Sequence, residues 1–265
     1  MKTKEPGKPA VPVEPKKTGR GVLVMDYPGS QWGDYLRAFL EDISAELTEP
    51  GNGEEGGIIF DRLKPDICFV NPGFLSMAVL QKLKVRCQTD SSFHLFQIGD
   101  AKDARPPLPY ICRFDPSEQG PAFLHKFSRH LKLPERIRIL VADDDLEIRD
   151  LVTDYFMRSS KPAFDVISAE DGAEAVRKIQ EERPDMALLD YHMPKKDGRE
   201  VYAYIQSLER RIPVIVYLDL CSSQQVAGLY QFGRPVIMDK GGQCASMAHL
   251  AALIKKVFYF ESRSS

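Results

Sequence analysis

From Arg136 onward, short and almost continuous apolar runs alternate with stretches of helical periodicity, five times in succession. The spacing predicts strands over 137–142, 164–168, 186–189, 213–218 and 235–239. Helices are expected between and after them. In the first, Ile148, Leu151, Val152, Tyr155 and Phe156 recur at helical spacing, and the others cover 171–182, 199–209, 222–232 and 243–260. A strand that is apolar along its whole length has no face to offer water, so these five read as a parallel sheet covered on both sides. Sheets of this kind bind ligands outside the carboxyl ends of their strands, at the topological switch point. At those ends stand Asp143 and Asp144, Asp190, and Lys240.

A chain of 265 residues is comfortable as two domains of ordinary size. A hydrophobic content of 43% supports real cores, and a net charge of −2 argues against binding nucleic acid or a membrane surface through bulk charge. The five cysteines are scattered, with no C-x-x-C pair, which suits a reducing compartment. No apolar run reaches the ~18 residues of a membrane span, and the N-terminus lacks a signal-peptide core. The expected location is therefore cytoplasmic. Residues 1–20 are rich in Lys, Pro and Gly with almost nothing to bury, and read as a disordered tail.

The region 21–131 reads as a worn copy of 137–262, with a short linker over 132–136. An apolar run over 21–25 ends in Asp26, as 137–142 ends in Asp143. Asn52-Gly53-Glu54-Glu55 leads to Lys64-Pro65-Asp66, and Asp171-Gly172-Ala173-Glu174 leads to Arg183-Pro184-Asp185. Asn71 then stands where the second copy has Asp190: 26 to 71 is 45 positions, and 143 to 190 is 47. Further runs over 93–98 and 110–114 follow, with Arg113 roughly where Lys240 would fall. The proline-rich stretch between them leaves the fourth helix of this copy missing or reduced.

Carboxylates on neighbouring strand ends form a half-shell for Mg²⁺, which takes oxygen ligands. A divalent cation offsets the charge repulsion between a carboxylate nucleophile and a phosphoryl group, and a lysine from a third strand can pair with both. Without the cation, three carboxylates so close would repel and raise at least one pKa.

Residue by residue, the segment 137–260 resembles the receiver domain of two-component response regulators, most specifically in Leu188-Leu189-Asp190-Tyr191-His192-Met193-Pro194-Lys195-Lys196-Asp197-Gly198. The resemblance implies a flavodoxin-like (βα)5 fold with strand order 2-1-3-4-5, in both copies. It implies that Asp190 accepts the phosphoryl group and that Asp143, Asp144, Asp190 and the backbone carbonyl of His192 hold Mg²⁺. Lys240 matches the family's fifth-strand lysine. Three positions depart from the pattern. Leu218 replaces the fourth-strand Ser or Thr, Ile237 the aromatic switch residue, and Gly241 the proline after the lysine. The strand phase turns Tyr217 away from the site. In the first copy Asp26 retains one acid, Tyr27 replaces the second and Asn71 the acceptor, so that copy resembles a pseudo-receiver and is not expected to be phosphorylated.

His125 and His130 lie on a helix expected over 117–131, without the surroundings of a kinase phosphohistidine, and read as surface residues. In the last helix Met247, Leu250, Ala251, Ile254, Val257 and Phe258 form a core stripe. Leu253, Tyr259 and Phe260 fall outside it and offer a contact surface, between domains or between subunits of a homodimer. The expected function is that of a response regulator lacking an output domain. It takes a phosphoryl group from a histidine kinase or phosphotransfer protein, as a signalling element, relay or phosphate sink, and contacts a downstream protein. It is not expected to be an enzyme beyond catalysing its own phosphorylation and dephosphorylation. The alternative is a scaffold whose two receiver-like folds bind partners irrespective of phosphate.

Overall fold

The computed structural model describes residues 20–41, 43, 45–99, 109–115, 117–159, 161–218, 222–240 and 246–262. The tail over 1–19, the proline-rich stretch over 100–108 and Gly241 lie outside the described residues. The first half contains β1 (Gly21–Met25), α1 (Gln31–Leu40), β2 (Glu46–Thr48), α2 (Gly53–Leu63), β3 (Ile67–Val70), α3 (Met77–Thr89), β4 (His94–Gln97), β5 (Cys112–Arg113) and α4 (Pro121–Ser128). The second contains β6 (Arg136–Ala142), α5 (Leu146–Met157), β7 (Ala163–Ala169), α6 (Gly172–Glu182) and β8 (Met186–Asp190). It continues through α7 (Gly198–Gln206), β9 (Val214–Leu218), α8 (Ser223–Tyr230), β10 (Val236–Asp239) and α9 (Met247–Glu261).

Each half builds one five-stranded sheet, β2-β1-β3-β4-β5 and β7-β6-β8-β9-β10, with every pairing parallel. In order of appearance within each half, both sheets run 2-1-3-4-5. These are two flavodoxin-like α/β folds, as the alternation of runs and helices predicts. The order places the middle strands β1 and β3, and likewise β6 and β8, side by side, so Asp143 and Asp190 emerge from adjacent strand ends.

The internal repeat holds down to single hydrogen bonds. Asn52 and Asp171 cap α2 and α6 with nearly the same extended backbone, φ −154° and −156°, each accepting from the amide three residues on. Both helices end in a left-handed residue, Lys64 at φ 47° and Arg183 at φ 50°, which turns the chain into Pro-Asp. The aspartate then anchors the first strand of its half. Asp66 Oδ2 accepts from the Gly21 amide at 3.2 Å, and Asp185 Oδ2 from the Arg138 amide at 2.8 Å.

One of the hydrophobic core clusters runs through both halves, beside one confined to each half. It carries inward residues of β1, β3 and β4, then Phe123 and Phe127 of α4, and reaches Ile139, Leu188 and Ile215 through α9. In α9 Leu250, Ile254 and Val257 lie in this core together with Leu253, Tyr259 and Phe260, so the helix is covered on both sides. Phe260 stacks on Phe127 with centroids 6.3 Å apart. Arg20 lays its guanidinium 3.5 Å over the Tyr259 ring and donates from Nε to the Tyr259 carbonyl at 2.6 Å. Residue 20, at the end of the expected tail, is therefore buried. The contact surface foreseen on α9 is filled by the chain's own first half rather than left for a second copy.

Candidate functional site

The acid cluster is built by strand ends and short caps. β6 delivers Asp143 at the end of a run whose last four residues are buried, and β8 delivers Asp190 alongside. Carboxylate oxygens of Asp143, Asp144 and Asp190 all lie within 4.8 Å of one another. Asp143 and Asp190 are buried, and Asp144 is exposed at the mouth. Lys240 follows β10, its amide bonded to the Leu218 carbonyl at 2.7 Å. Its Nζ lies 3.1 Å from Asp190 Oδ1 and 3.2 Å from Asp143 Oδ2. The four side chains singled out in the sequence converge in one cluster. His192 also lies beside it: its amide donates to Asp190 Oδ1 at 3.3 Å, while its ring Nε2 sits 3.0 Å from Gln225 Nε2.

Electrostatics follows from this geometry. Burial pushes the Asp190 carboxyl up, Lys240 pulls it down in part, and Asp143 adds to the rise. For Lys240 burial works against the charge, but Asp190 and Asp143 outweigh it and hold the ammonium above its usual range. Three carboxylates and one ammonium leave a charge deficit of two, which one divalent cation would neutralise. An all-oxygen donor set with one open side fits Mg²⁺.

Two site residues were not legible beforehand. Tyr217 sits opposite Asp190 in the β8–β9 register, with its ring on the face away from Leu218. Its length still carries the hydroxyl to Asp143 Oδ2, to which it donates, and Lys240 Nζ stands 4.5 Å from the ring centroid. Burial, followed by the Asp143 charge, drives the Tyr217 phenol well above its ordinary value, so it remains a donor. The Tyr217 ring thus stands on the far face, as strand alternation predicts, but its hydroxyl reaches the site, which alternation does not predict. Arg149, in α5, is buried and donates from Nη1 to the Asp143 carbonyl at 2.6 Å. An arginine six positions beyond an aspartate gives no sequence signal of its own.

The loop after Asp190 is shaped by Gly198. A Cβ there would fall 2.2 Å from the Asp190 carbonyl oxygen, so only glycine lets α7 begin against β8. Leu218 and Ile237 pack into the apolar layer on the opposite side of the sheet from Tyr217, and neither has a hydroxyl.

The corresponding place in the first half is wired differently. Asn71 Nδ2 donates to Asp26 Oδ1 at 2.9 Å, satisfying acid and amide internally. Arg113 Nη2 bonds the Gly99 carbonyl at 3.2 Å instead of an acid. Among the described residues the only candidate metal cluster is that of Asp143, Asp144 and Asp190. His125 lies 6.0 Å from His249 between ring centroids, on the helix face turned toward α9.

A parallel five-stranded α/β fold with acids at two central strand ends and a lysine after the last strand is an arrangement of the receiver type, with its candidate site at the carboxyl ends of the strands. Residues 139–240 match the response regulator receiver domain family. The protein-glutamate methylesterase/protein-glutamine glutaminase of a Nocardioides species is 36% identical over 98 residues, 37% of this chain and 26% of that protein. The alkaline phosphatase synthesis transcriptional regulatory protein PhoP of Bacillus subtilis is 38% identical over 79 residues, 30% of this chain and 32% of that protein. Among solved structures, the response regulator domain of Thermotoga maritima CheB aligns at 28% identity and TM-score 0.38, covering 46% of this chain and 92% of that one. The chain thus spans about a quarter to a third of the length of these curated relatives. No helix among the described residues is long and apolar enough to cross a membrane.

Proposed function

We propose that the second half accepts a phosphoryl group on Asp190 from a histidine kinase or phosphotransfer protein, in the cytoplasm, and that the first half is a pseudo-receiver with no acceptor chemistry. The observation that carries this reading is the convergence of Asp143, Asp144 and Asp190 at the adjacent ends of β6 and β8 with Lys240, which reaches them from the end of β10. In the transfer, an Asp190 carboxylate oxygen bonds to phosphorus as the P–N bond of a phosphohistidine breaks and the imidazole leaves with the electron pair. Asp143, Asp144 and Asp190, with the His192 carbonyl, would hold Mg²⁺, whose charge shields the incoming phosphoryl oxygens from the acids. Lys240, already between Asp143 and Asp190, is placed to pair with the phosphoryl oxygens after transfer. The protein is a phosphoacceptor rather than an enzyme with a diffusing substrate.

The donor would reach Asp190 over α5. Leu146 and Leu151 are exposed there, and an apolar groove of about 300 Å³ between α5 and α9 opens on Lys240 and Tyr217. A downstream protein would read the altered surface.

The test is incubation with Mg²⁺ and acetyl phosphate, followed by intact-mass measurement. One phosphoryl group is expected on the wild-type chain and none on Asp190→Asn. An unmodified wild-type chain that also shows no Mg²⁺-dependent change in stability would favour the second reading, a scaffold that binds partners irrespective of phosphate. The buried Leu218, with no hydroxyl to offer a phosphoryl group, is the observation behind that alternative.

A further inference from the structure

A recess lies far from the acid cluster, at the seam between the halves. It encloses about 750 Å³ and is walled by the end of α4, the 131–136 connection, the start of β7 and one turn of α9. Five cationic side chains line it, Arg129, Lys132, Arg136, Lys161 and Lys255, against a single acid, Glu135. In a chain of net charge −2 this is a strong local excess. Arg136 pairs with Asp165 at 2.5 Å, but Arg129, Lys132, Lys161 and Lys255 form no salt bridge among the described residues. Lys255 is half-buried, and burial together with the nearby Arg129 pulls its ammonium below the usual lysine range. Like charges gathered without counter-ions destabilise a fold, and a concave wall focuses their field into the recess.

We propose that this seam recess is a binding site for a small organic polyphosphate, of the nucleoside di- or triphosphate class. Four cations without a salt bridge among the described residues match the charge of two or three phosphates. The space exceeds what inorganic phosphate fills and lies within the range of small-molecule pockets. Leu133 and Pro162 supply an apolar wall for a base or sugar. Because the recess draws on α4, β7 and α9 together, an anion bound there ties the two halves to each other.

Calorimetric titration of the full chain with ATP, inorganic pyrophosphate and adenosine, all without Mg²⁺ so that the acid cluster stays out of play, tests the proposal. ATP is expected to bind in the micromolar range at low salt, pyrophosphate more weakly and adenosine not at all. Raising the salt should weaken ATP markedly. The double variant Lys132→Glu/Lys161→Glu, both exposed positions, should lose about tenfold or more in affinity. Lys84→Glu, an exposed change on α3, should leave it unaltered. Unchanged phosphorylation of Asp190 in the double variant would show that its fold is retained. Absence of ATP binding at millimolar concentration, or equal affinity in wild type and double variant, would overturn the site.

Discussion

Asp143 has more partners than any other acid in the cluster. Its Oδ1 accepts from the Asp145 amide at 2.8 Å, its Oδ2 receives both Tyr217 and Lys240, and its carbonyl is held by Arg149. These bonds restrict the carboxylate to one rotamer without help from solvent. Tyr217→Phe removes the phenol donor while keeping the ring, so its effect should be local. Outer-shell partners of metal ligands are typically worth about 10–100-fold in affinity. A roughly tenfold weaker Mg²⁺ response is expected in calorimetry, with little loss of fold. Gly198→Ala acts differently, since its methyl group would collide with the Asp190 carbonyl itself. That variant should slow phosphorylation by acetyl phosphate more than it lowers Tm, because the backbone of Asp190, the proposed acceptor, must shift.

Helix α9 is where a single element joins the two halves of one core. Its Leu250, Ile254 and Val257 pack on the second sheet, while Tyr259 and Phe260 reach into the first half. Burying an aromatic side chain contributes about 1.5–3 kcal/mol, and truncating one leaves a cavity besides. Phe260→Ala should therefore cost about 3–5 kcal/mol, measurable as a large drop in the urea midpoint. The same contact is pH-sensitive through His94, in β4, whose Nδ1 lies 3.2 Å from the Tyr259 hydroxyl. Burial, with Lys132 adding to it, lowers His94 from 6.5 to about 4. Folded His94 thus binds fewer protons than unfolded His94 between those values, so its stabilising contribution is intact above pH 6.5 and is lost as pH falls towards 4. His94→Phe should flatten the pH dependence of Tm across that interval.

At the level of the entire chain, the shared core predicts that the halves unfold together. Trp32, the single tryptophan, is buried in the first half, whereas the acid cluster is in the second. A ligand that binds only the folded state raises the midpoint of whatever unfolds with its site. Mg²⁺ at millimolar concentration should therefore raise the urea midpoint reported by Trp32 fluorescence, and Asp190→Asn should blunt that rise. A Trp32 transition indifferent to Mg²⁺, in a protein whose circular dichroism does respond, would show the halves to be thermodynamically separate.

Much of this was readable in the linear pattern. Continuous apolar runs imply buried parallel strands, and polar residues at their ends can only lie along one rim of such a sheet, so Asp143, Asp190 and Lys240 had to be neighbours. The repeat was equally visible, because its caps rest on local contacts within a few residues: Asn52 and Asp171 at helix starts, Lys64 and Arg183 at helix ends. What could not be read were contacts whose partners lie far apart in the chain. Alternation assigned Tyr217 to a face but not the distance its ring would span to Asp143, 74 positions away. The apolar count of α9 showed more surface than one sheet could cover, yet which body covered the remainder depended on how the two halves dock. Periodicity reports the direction of a side chain at its own backbone, and long-range packing then sets what meets it there.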